Sequence, residues 1–238
     1  MSETFLDGRV KVTQPEAGFR SGLDAVMLAA AVPAMPGQSA LELGAGAGTA
    51  SLCLAARVPG VAVTGVEKDE GLVVLARANT AANGFDCAFA AADIFALPPE
   101  LKRDFDQVFA NPPFHGDGQV SPDERRAAAL MDGGQLSGWL KLGLQRTVSG
   151  GFFTAILRAD RLNEALAALP DKGVCAFPLW PRQSEAPKRV IVQARKGSNA
   201  PFALLPGLVL HTEDGSWTPE ADAVLRRGNA LALSGARL

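Results

Sequence analysis

The segment Asn111-Pro112-Pro113-Phe114 carries the residues best suited to chemistry in this chain. Its two prolines remove two backbone donors and fix φ at both positions, so the turn is stiff and extended. The side-chain oxygen of Asn111 and the carbonyl of Pro112 can accept both N–H groups of a planar amine. The lone pair of such an amine is delocalised, and two acceptors would orient it and stabilise positive charge as it develops. Phe114 offers a face on which a ring can stack.

The elements around this turn predict one edge where several such residues meet. Strands are expected at 39–44, 61–66, 86–91, 105–110 and 151–157, alternating with helices at 49–57, 70–82, 136–148 and 160–169. This alternation is typical of a parallel α/β sheet with helices on both faces, and it brings the carboxyl ends of the strands together. Two later runs, 174–180 and 188–194, predict an antiparallel hairpin at the sheet edge.

A glycine-rich loop follows the first of these strands. Glu42 precedes Gly44, Gly46 and Gly48, which form a G-x-G-x-G pattern between a buried strand and a helix. Glycines allow a ligand to approach the backbone closely at such a turn. The pattern lacks the third glycine spacing of the dinucleotide fingerprint. It resembles motif I of the class I methyltransferases that use S-adenosylmethionine (SAM), with a plain strand–glycine–helix turn as the alternative.

Acids at the next two strand ends extend the same site. Glu67 ends the second strand, beside Lys68, and can accept the two ribose hydroxyls of a nucleoside. Asp93 follows the third strand and can accept an adenine amino group, while Ile94 or Phe95 packs on the ring. Solvated acids are the alternative for each position alone. Three features at three consecutive strand ends favour a nucleoside-containing cofactor, namely SAM.

These residues together resemble the class I methyltransferases that methylate amino groups through an N-P-P-[YFW] motif. The chain is more closely similar to the bacterial tRNA (adenine-N6)-methyltransferase family that modifies valine tRNA. Further stretches that carry this likeness are Gln14-x-x-x-Gly-Phe-Arg20-Ser21 with Asp24, Ala76-Arg-x-Asn79, Pro187-x-Arg189 and His211-x-x-x-Gly215.

The resemblance implies a Rossmann-like class I methyltransferase fold, with a seven-stranded sheet whose last strand is reversed. It implies that Gln14 and the stretch Phe19–Asp24, which contains Arg20, border the cofactor. It also implies methylation of adenine N6 in tRNA. Asn-Pro-Pro-Phe-His is equally typical of guanine-N2 rRNA methyltransferases, so the identity of the base stays open.

The chain divides into three parts in this interpretation. Residues 1–38 are expected to form an N-terminal segment across the mouth of the site, with a helix at 23–32 capped by Ser21. Residues 39–197 would be the methyltransferase domain, and 198–238 a tail packed on that domain, with a last helix at 219–227.

Composition limits the partners. The 238 residues carry a net charge of −2 and 47% hydrophobic residues, which is globular composition. No apolar run is long enough to span a membrane and no signal peptide is evident, so a cytoplasmic protein is expected. The three scattered cysteines and two histidines predict no metal site. The oligomeric state stays open.

RNA would therefore be held by a local basic rim rather than by overall charge. The candidate residues are Arg125-Arg126, Arg182, Lys188-Arg189, Arg195-Lys196 and Arg226-Arg227. A protein methyltransferase acting on a glutamine amide is the first alternative, since that amide poses the same chemical problem. A SAM-binding module without catalysis and, more weakly, a nicotinamide dehydrogenase are the others.

Overall fold

A computed structural model describes residues 2–16, 20–113, 136–231 and 233 of the chain. The strands are β1 Ser2–Phe5, β2 Val10–Thr13, β3 Ser39–Leu43, β4 Ala62–Glu67, β5 Cys87–Ala91, β6 Phe105–Ala110, β7 Thr147–Arg158, β8 Val174–Trp180, β9 Arg189–Arg195, β10 Ala203–Leu204 and β11 Leu208–Val209. The helices are α1 Leu23–Ala31, α2 Thr49–Arg57, α3 Glu70–Asn83, α4 136–145, α5 Leu162–Ala168 and α6 Pro219–Leu225. Short 3₁₀ turns lie at Ile94–Ala96, Pro99–Leu101 and Ala159–Arg161.

The main sheet has the predicted strand directions. Its strands run β5-β4-β3-β6-β7-β9-β8, with β3 to β7 mutually parallel and β9 antiparallel to both β7 and β8. The predicted seven-stranded sheet with a reversed last strand is thus confirmed. The predicted hairpin of β8 and β9 also forms, but β9 is inserted between β7 and β8. The short strands β10 and β11 then pair with β8 on its outer side.

Two apolar layers cover the two faces of this sheet. Neighbouring residues of a strand point to opposite faces, and Val108 and Phe109 of β6, both fully buried, belong to different core clusters. The first layer holds α1, α2 and α6, and the second holds α4 and α5. Helices on both faces explain why the central strands read as continuous apolar runs rather than as alternating patterns.

The N-terminal part adds a hairpin and α1 to the first layer. Strands β1 and β2 pair antiparallel, where the sequence predicts only weak alternation. The predicted cap of α1 is wrong: the N-cap residue is Gly22, and no side chain caps the helix. Ser21 has both its backbone N–H and its carbonyl bonded to Gln14 instead.

The C-terminal part packs on the same layer. Helix α6 contacts α1, and the backbone N–H of Leu231 donates to the carbonyl of Ala30. Thr218 caps α6 by accepting from the backbone N–H of Ala221. Searched over the described ranges, the helices are all too short or too polar to cross a bilayer.

Candidate active site

The carboxyl ends of β3, β4, β5 and β6 border a cavity of about 560 Å³. Register places their ends side by side, because Leu43 of β3 pairs with Val66 on one side and Ala110 on the other. The described residues that line it are Ser21, Ala25, Glu42, Gly44, Ala45, Gly46, Ala50, Glu67, Lys68, Leu72, Asp93, Ile94, Phe95, Asn111, Pro112, Pro113 and Trp139. The structure therefore brings together most of the predicted site residues.

The three glycines of the loop have positive φ but serve three different purposes. A Cβ on Gly44 would lie 2.5 Å from Cη2 of Trp139, so this glycine accommodates the indole ring. A Cβ on Gly46 would meet nothing within 4 Å, so this glycine leaves room at the cavity wall. A Cβ on Gly48 would lie 2.8 Å from the ring of Phe89. Gly48 is the N-cap of α2 and packs against β5, and the structure does not bring it to the cavity.

Glu67 binds the glycine loop from the end of β4. One carboxylate oxygen accepts from the backbone N–H of Gly46 at 2.9 Å, and the other accepts from those of Lys68 and Asp69. These bonds hold the side chain at the cavity wall. Each carboxylate oxygen has two lone pairs, so acceptor capacity remains for a ligand hydroxyl.

Asp93 lies at the end of β5 in a similar position. It accepts from the backbone N–H of Phe95 at 2.9 Å and so caps the short turn at Ile94–Ala96. Lys68 lies 3.5 Å from its carboxylate and is largely exposed. Ile94 and Phe95 both line the cavity, and Phe95 is 56% exposed. An exposed aromatic ring beside a carboxylate is suited to bind the face and the amino edge of a base.

Glu42 is buried within the site, on β3. Its Oε2 accepts from both the backbone N–H and the hydroxyl of Ser51 in α2. Burial raises the pKa of this carboxyl to about 8, against the lowering effect of the Ser51 bonds and with a smaller contribution from the charge of Glu67. Glu42 is therefore protonated for much of the neutral pH range.

Asn111 presents a buried hydrogen-bond acceptor to the cavity. Its Oδ1 has no hydrogen-bond partner among the described residues, although buried polar atoms are nearly always paired. Pro112 and Pro113 follow it along the cavity wall. Phe114 lies outside the described residues, as do His115 and Arg125-Arg126.

The two predicted N-terminal ligands, Gln14 and Arg20, contact other residues of the N-terminal part. Gln14 is 2% exposed and binds the backbone of Ser21 through both ends of its amide, so it positions Ser21 at the cavity wall. Arg20 forms an ion pair with Glu3. Neither Gln14 nor Arg20 lines the cavity.

Helix α3 ties this N-terminal part to the glycine loop. The amide of Asn79 accepts from the N–H of Thr13 and donates to the carbonyls of Thr13 and Ala47. One turn later, Asn83 pairs in the same way with the backbone of Lys11. Asn79 and Asn83 are four residues apart, which is about 6 Å along a helix, and alternate residues of a strand are spaced by a similar distance. The two amides can therefore bond to Thr13 and Lys11 of β2 as the backbone of a neighbouring strand would.

The other stretches of the family likeness also have structural partners. Nε of Arg189 lies 2.9 Å from Oδ2 of Asp24, and this ion pair joins β9 to the first turn of α1 beside the cavity. His211 stacks on Trp217 with ring centroids 4.2 Å apart, and its Nδ1 lies 3.1 Å from the carbonyl oxygen of Gly215.

Sequence reasoning missed several lining residues. Trp139, Ala25 and Leu72 come from helices, where apolar residues are expected to be core, whereas Ser21 belongs to the stretch implied to border the cofactor. The only available signal for Trp139 was a large aromatic residue in the helix that follows the Asn111 turn.

The predicted basic rim divides between opposite edges of the sheet. Arg182 follows β8 and Lys188-Arg189 begins β9, so these residues lie at the same edge as the cavity. Arg195-Lys196 lies at the other end of β9, where Lys196 donates to the carbonyls of Gln145 and Thr147. Arg195-Lys196 therefore does not belong to a rim around this site, since β9 runs antiparallel to its neighbours. Arg226 and Arg227 pair with Asp222.

The thiols take no part in the site. Cys53, Cys87 and Cys175 are all free, and burial raises the pKa of Cys87 to about 12 and that of Cys175 to about 11. The described part of the chain contains no group of three or more histidine, cysteine or acidic residues arranged to hold a metal ion.

Comparisons with known proteins agree with this geometry. A family model described as "Methyltransferase small domain" matches residues 21–136. Ribosomal RNA small subunit methyltransferase C from Salmonella arizonae is 36% identical over 124 residues, which are 51% of this chain and 35% of that protein. The chain thus spans about a third of the length of the curated relatives it matches.

Two solved structures have the same fold. A protein from Agrobacterium tumefaciens, described as a predicted O-methyltransferase, superposes with a TM-score of 0.73 at 26% identity, covering 89% of this chain and 99% of that one. The Thermus thermophilus 16S rRNA N2 G1207 methyltransferase, solved with AdoMet and guanosine, gives 0.56 at 21% identity, with 82% and 50% coverage. This chain has the class I, SAM-dependent methyltransferase fold, and its residues 21–136 are similar to the methyltransferase small domain.

Proposed function

We propose that the protein transfers a methyl group from SAM to the exocyclic amine of a base in RNA. The observation that carries this proposal is the buried Oδ1 of Asn111, which has no partner among the described residues, at the wall of a cavity built from four strand ends. An acceptor without a partner costs stability unless a ligand uses it. A planar amine is the donor that fits it, with the carbonyl of Pro112 as second acceptor.

The described residues fit the cofactor. Glu67 has acceptor capacity for a ribose hydroxyl, Asp93 and Phe95 suit an adenine, and the open space at Gly46 leaves room for a ligand. SAM supplies an electrophilic methyl group on a positively charged sulfur. These residues bind and orient it with the methyl group toward Asn111, because Gly44 and Asn111 follow the paired residues Leu43 and Ala110.

The residues of the turn then act on the amine. Acceptance of both N–H groups by Asn111 and Pro112 directs the nitrogen lone pair at the methyl group and stabilises the charge that develops on nitrogen. The amine loses its proton after transfer, so no strong base is required. In this proposal Phe114 stacks on the target base, which is splayed out of the RNA.

Adenine N6 in tRNA is the substrate that we propose first, from the likeness to the valine-tRNA family. Guanine N2 in rRNA is the second candidate. It is favoured by the identity with a ribosomal RNA methyltransferase over half of this chain. Both bases present an exocyclic amine to the same two acceptors.

The test is to incubate the purified protein with SAM labelled in its methyl group and total RNA from a strain that lacks its gene. N6-methyladenosine in digested tRNA would support the first candidate, and N2-methylguanosine in rRNA the second. Label in protein would instead indicate a glutamine amide. Label on an oxygen, or no transfer despite SAM binding, would contradict N-methylation by this site.

A further inference from the structure

The indole of Trp139 lies against Gly44, one of the residues at the strand ends that line the cavity. The residues that line the strand ends follow the order Asn111, Gly44, Glu67 and Asp93, which is the order of β6, β3, β4 and β5. Neighbouring strands are about 4.8 Å apart, so this row is about 14 Å long. Trp139 packs against Gly44, which lies between Asn111 and Glu67 in this row.

The contact of Trp139 with Gly44 is close. The ring occupies the space of the missing side chain, since a Cβ there would lie 2.5 Å from Cη2 and 3.0 Å from Cζ3. The preceding residue, Gly138, contacts Phe95 in the same manner, with 3.0 Å between its hypothetical Cβ and Cε1. Two glycine–aromatic contacts thus hold the first turns of α4 across the cavity, and Trp139 remains only partly buried.

We propose that Trp139 borders the positively charged sulfur of bound SAM and favours SAM over the neutral product S-adenosylhomocysteine. This inference rests on the proposed function, because ribose at Glu67 and adenine at Asp93 leave the sulfur near Gly44. Among the aromatic side chains, an indole attracts a cation positioned over its ring face most strongly. The buried carboxyl of Glu42 adds little discrimination there, because it is protonated below about pH 8. Trp139 is therefore a cofactor-contacting residue that sets selectivity between substrate and product forms.

Calorimetric titration of the full chain with SAM and with S-adenosylhomocysteine tests this proposal without turnover. We expect Trp139→Leu to raise the Kd for SAM more than the Kd for S-adenosylhomocysteine, so that the ratio of the two Kd values rises about fivefold or more. Trp139→Phe should retain most of the preference because it keeps an aromatic ring. Trp180→Phe is the matched control, since Trp180 donates to the carbonyl of Pro206 and does not line the cavity. Equal changes in both Kd values, or none, would overturn the proposal.

A second measurement leaves Trp139 intact, in case Trp139→Leu does not fold. The variant Trp180→Phe/Trp217→Phe contains Trp139 as its only tryptophan. Its emission should be altered more by SAM than by S-adenosylhomocysteine, each at saturation, and identical responses would contradict a contact with the charged sulfur. If the unaltered protein bound neither compound, the proposed function itself would fail. If it bound and transferred methyl groups while Trp139 variants kept the same preference, only the present inference would fail.

Discussion

Single residues in this site are distinguished by what their polar atoms lack. Glu67 and Asp93 both have backbone partners that position them, whereas Oδ1 of Asn111 has none among the described residues. We therefore interpret Glu67 and Asp93 as groups that position a ligand, and Oδ1 of Asn111 as an acceptor for a hydrogen bond from the ligand. The carboxyl of Glu42 forms a third kind, since it is buried and protonated near neutral pH.

Replacing Asn111 by alanine should separate binding from transfer. We expect Asn111→Ala to bind SAM with an unchanged Kd while kcat falls by about 100-fold or more, because one of the two amine acceptors is lost. Calorimetry and single-turnover assays with labelled SAM measure the two quantities. Asn199→Ala, at an exposed residue outside the cavity lining, is the control. Full turnover in Asn111→Ala would refute the assigned role.

The raised pKa of Glu42 predicts a pH-dependent stability. The folded protein keeps a proton on this carboxyl up to about pH 8, whereas the unfolded chain loses it near the ordinary value of 4.5. Between these values the folded state binds more protons, so the contribution of Glu42 to stability falls as pH rises. Glu42→Gln keeps an acceptor for Ser51 and removes this dependence. Urea unfolding at pH 5, 7 and 9 should show the variant gaining relative stability with pH; parallel profiles would exclude the effect.

At the scale of elements, helix α3 connects the N-terminal hairpin to the glycine loop. Asn79 reaches both β2 and the glycine loop, and Asn83 reaches β2 alone. Through Thr13 the same contact continues to Gln14, which holds Ser21 at the cavity wall. The N-terminal hairpin and the loop are therefore positioned by one helix face.

These two asparagines form a matched pair for experiment. We expect Asn79→Ala to lower the free energy of unfolding by about 2–3 kcal/mol, since it leaves buried backbone groups without partners. It should also weaken SAM binding about threefold or more. Asn83→Ala should cost about 1 kcal/mol or less, because its bonds are exposed, and leave the SAM Kd unchanged. Urea denaturation and calorimetry report both effects; the same SAM Kd in both variants would argue against a role of Asn79 in the loop.

At the scale of the whole molecule, the direction of each strand decides which charges share the site's edge. Strand β9 carries basic residues at both ends, and only Lys188 and Arg189 lie beside the cavity. Arg189 is already paired with Asp24. Arg182 and Lys188 are the other described residues of the predicted rim at this edge, and Arg182 is in a partly exposed ion pair with Glu185. In the proposed function these two residues would contact RNA phosphates.

Neutralising these two charges should weaken RNA binding at the cavity edge. We expect the double variant Arg182→Ala/Lys188→Ala to reduce the slope of log Kd against log salt by about 1.4, at about 0.7 per phosphate contact on single-stranded RNA. SAM affinity should not change. Lys141→Ala/Lys172→Ala removes the same charge at the opposite edge and serves as control. Titration of labelled RNA across salt concentrations measures the slope. Equal slopes in both double variants would contradict a basic rim at this edge.

Much of the site is predictable from sequence because parallel strands bring their carboxyl ends to one edge. The positions after β3, β4, β5 and β6 follow from apolar periodicity, and each of them lines the cavity. Chain order also predicts the reversed strand, since β8 and β9 form a short hairpin. Of the N-terminal positions implied by resemblance, Gln14 contacts Ser21 and Arg20 contacts Glu3, and neither lines the cavity.

What the sequence by itself determined, then, is the Asn111 turn, the glycine loop and the acids at the strand ends, all of which depend on local pattern. Only the tertiary structure decided which neighbour each glycine accommodates, that Trp139 crosses to Gly44, and that Asn79 joins β2 to the loop. These contacts join residues that lie far apart along the chain. The path of a helix across a sheet depends on packing of whole surfaces, and no local periodicity specifies it.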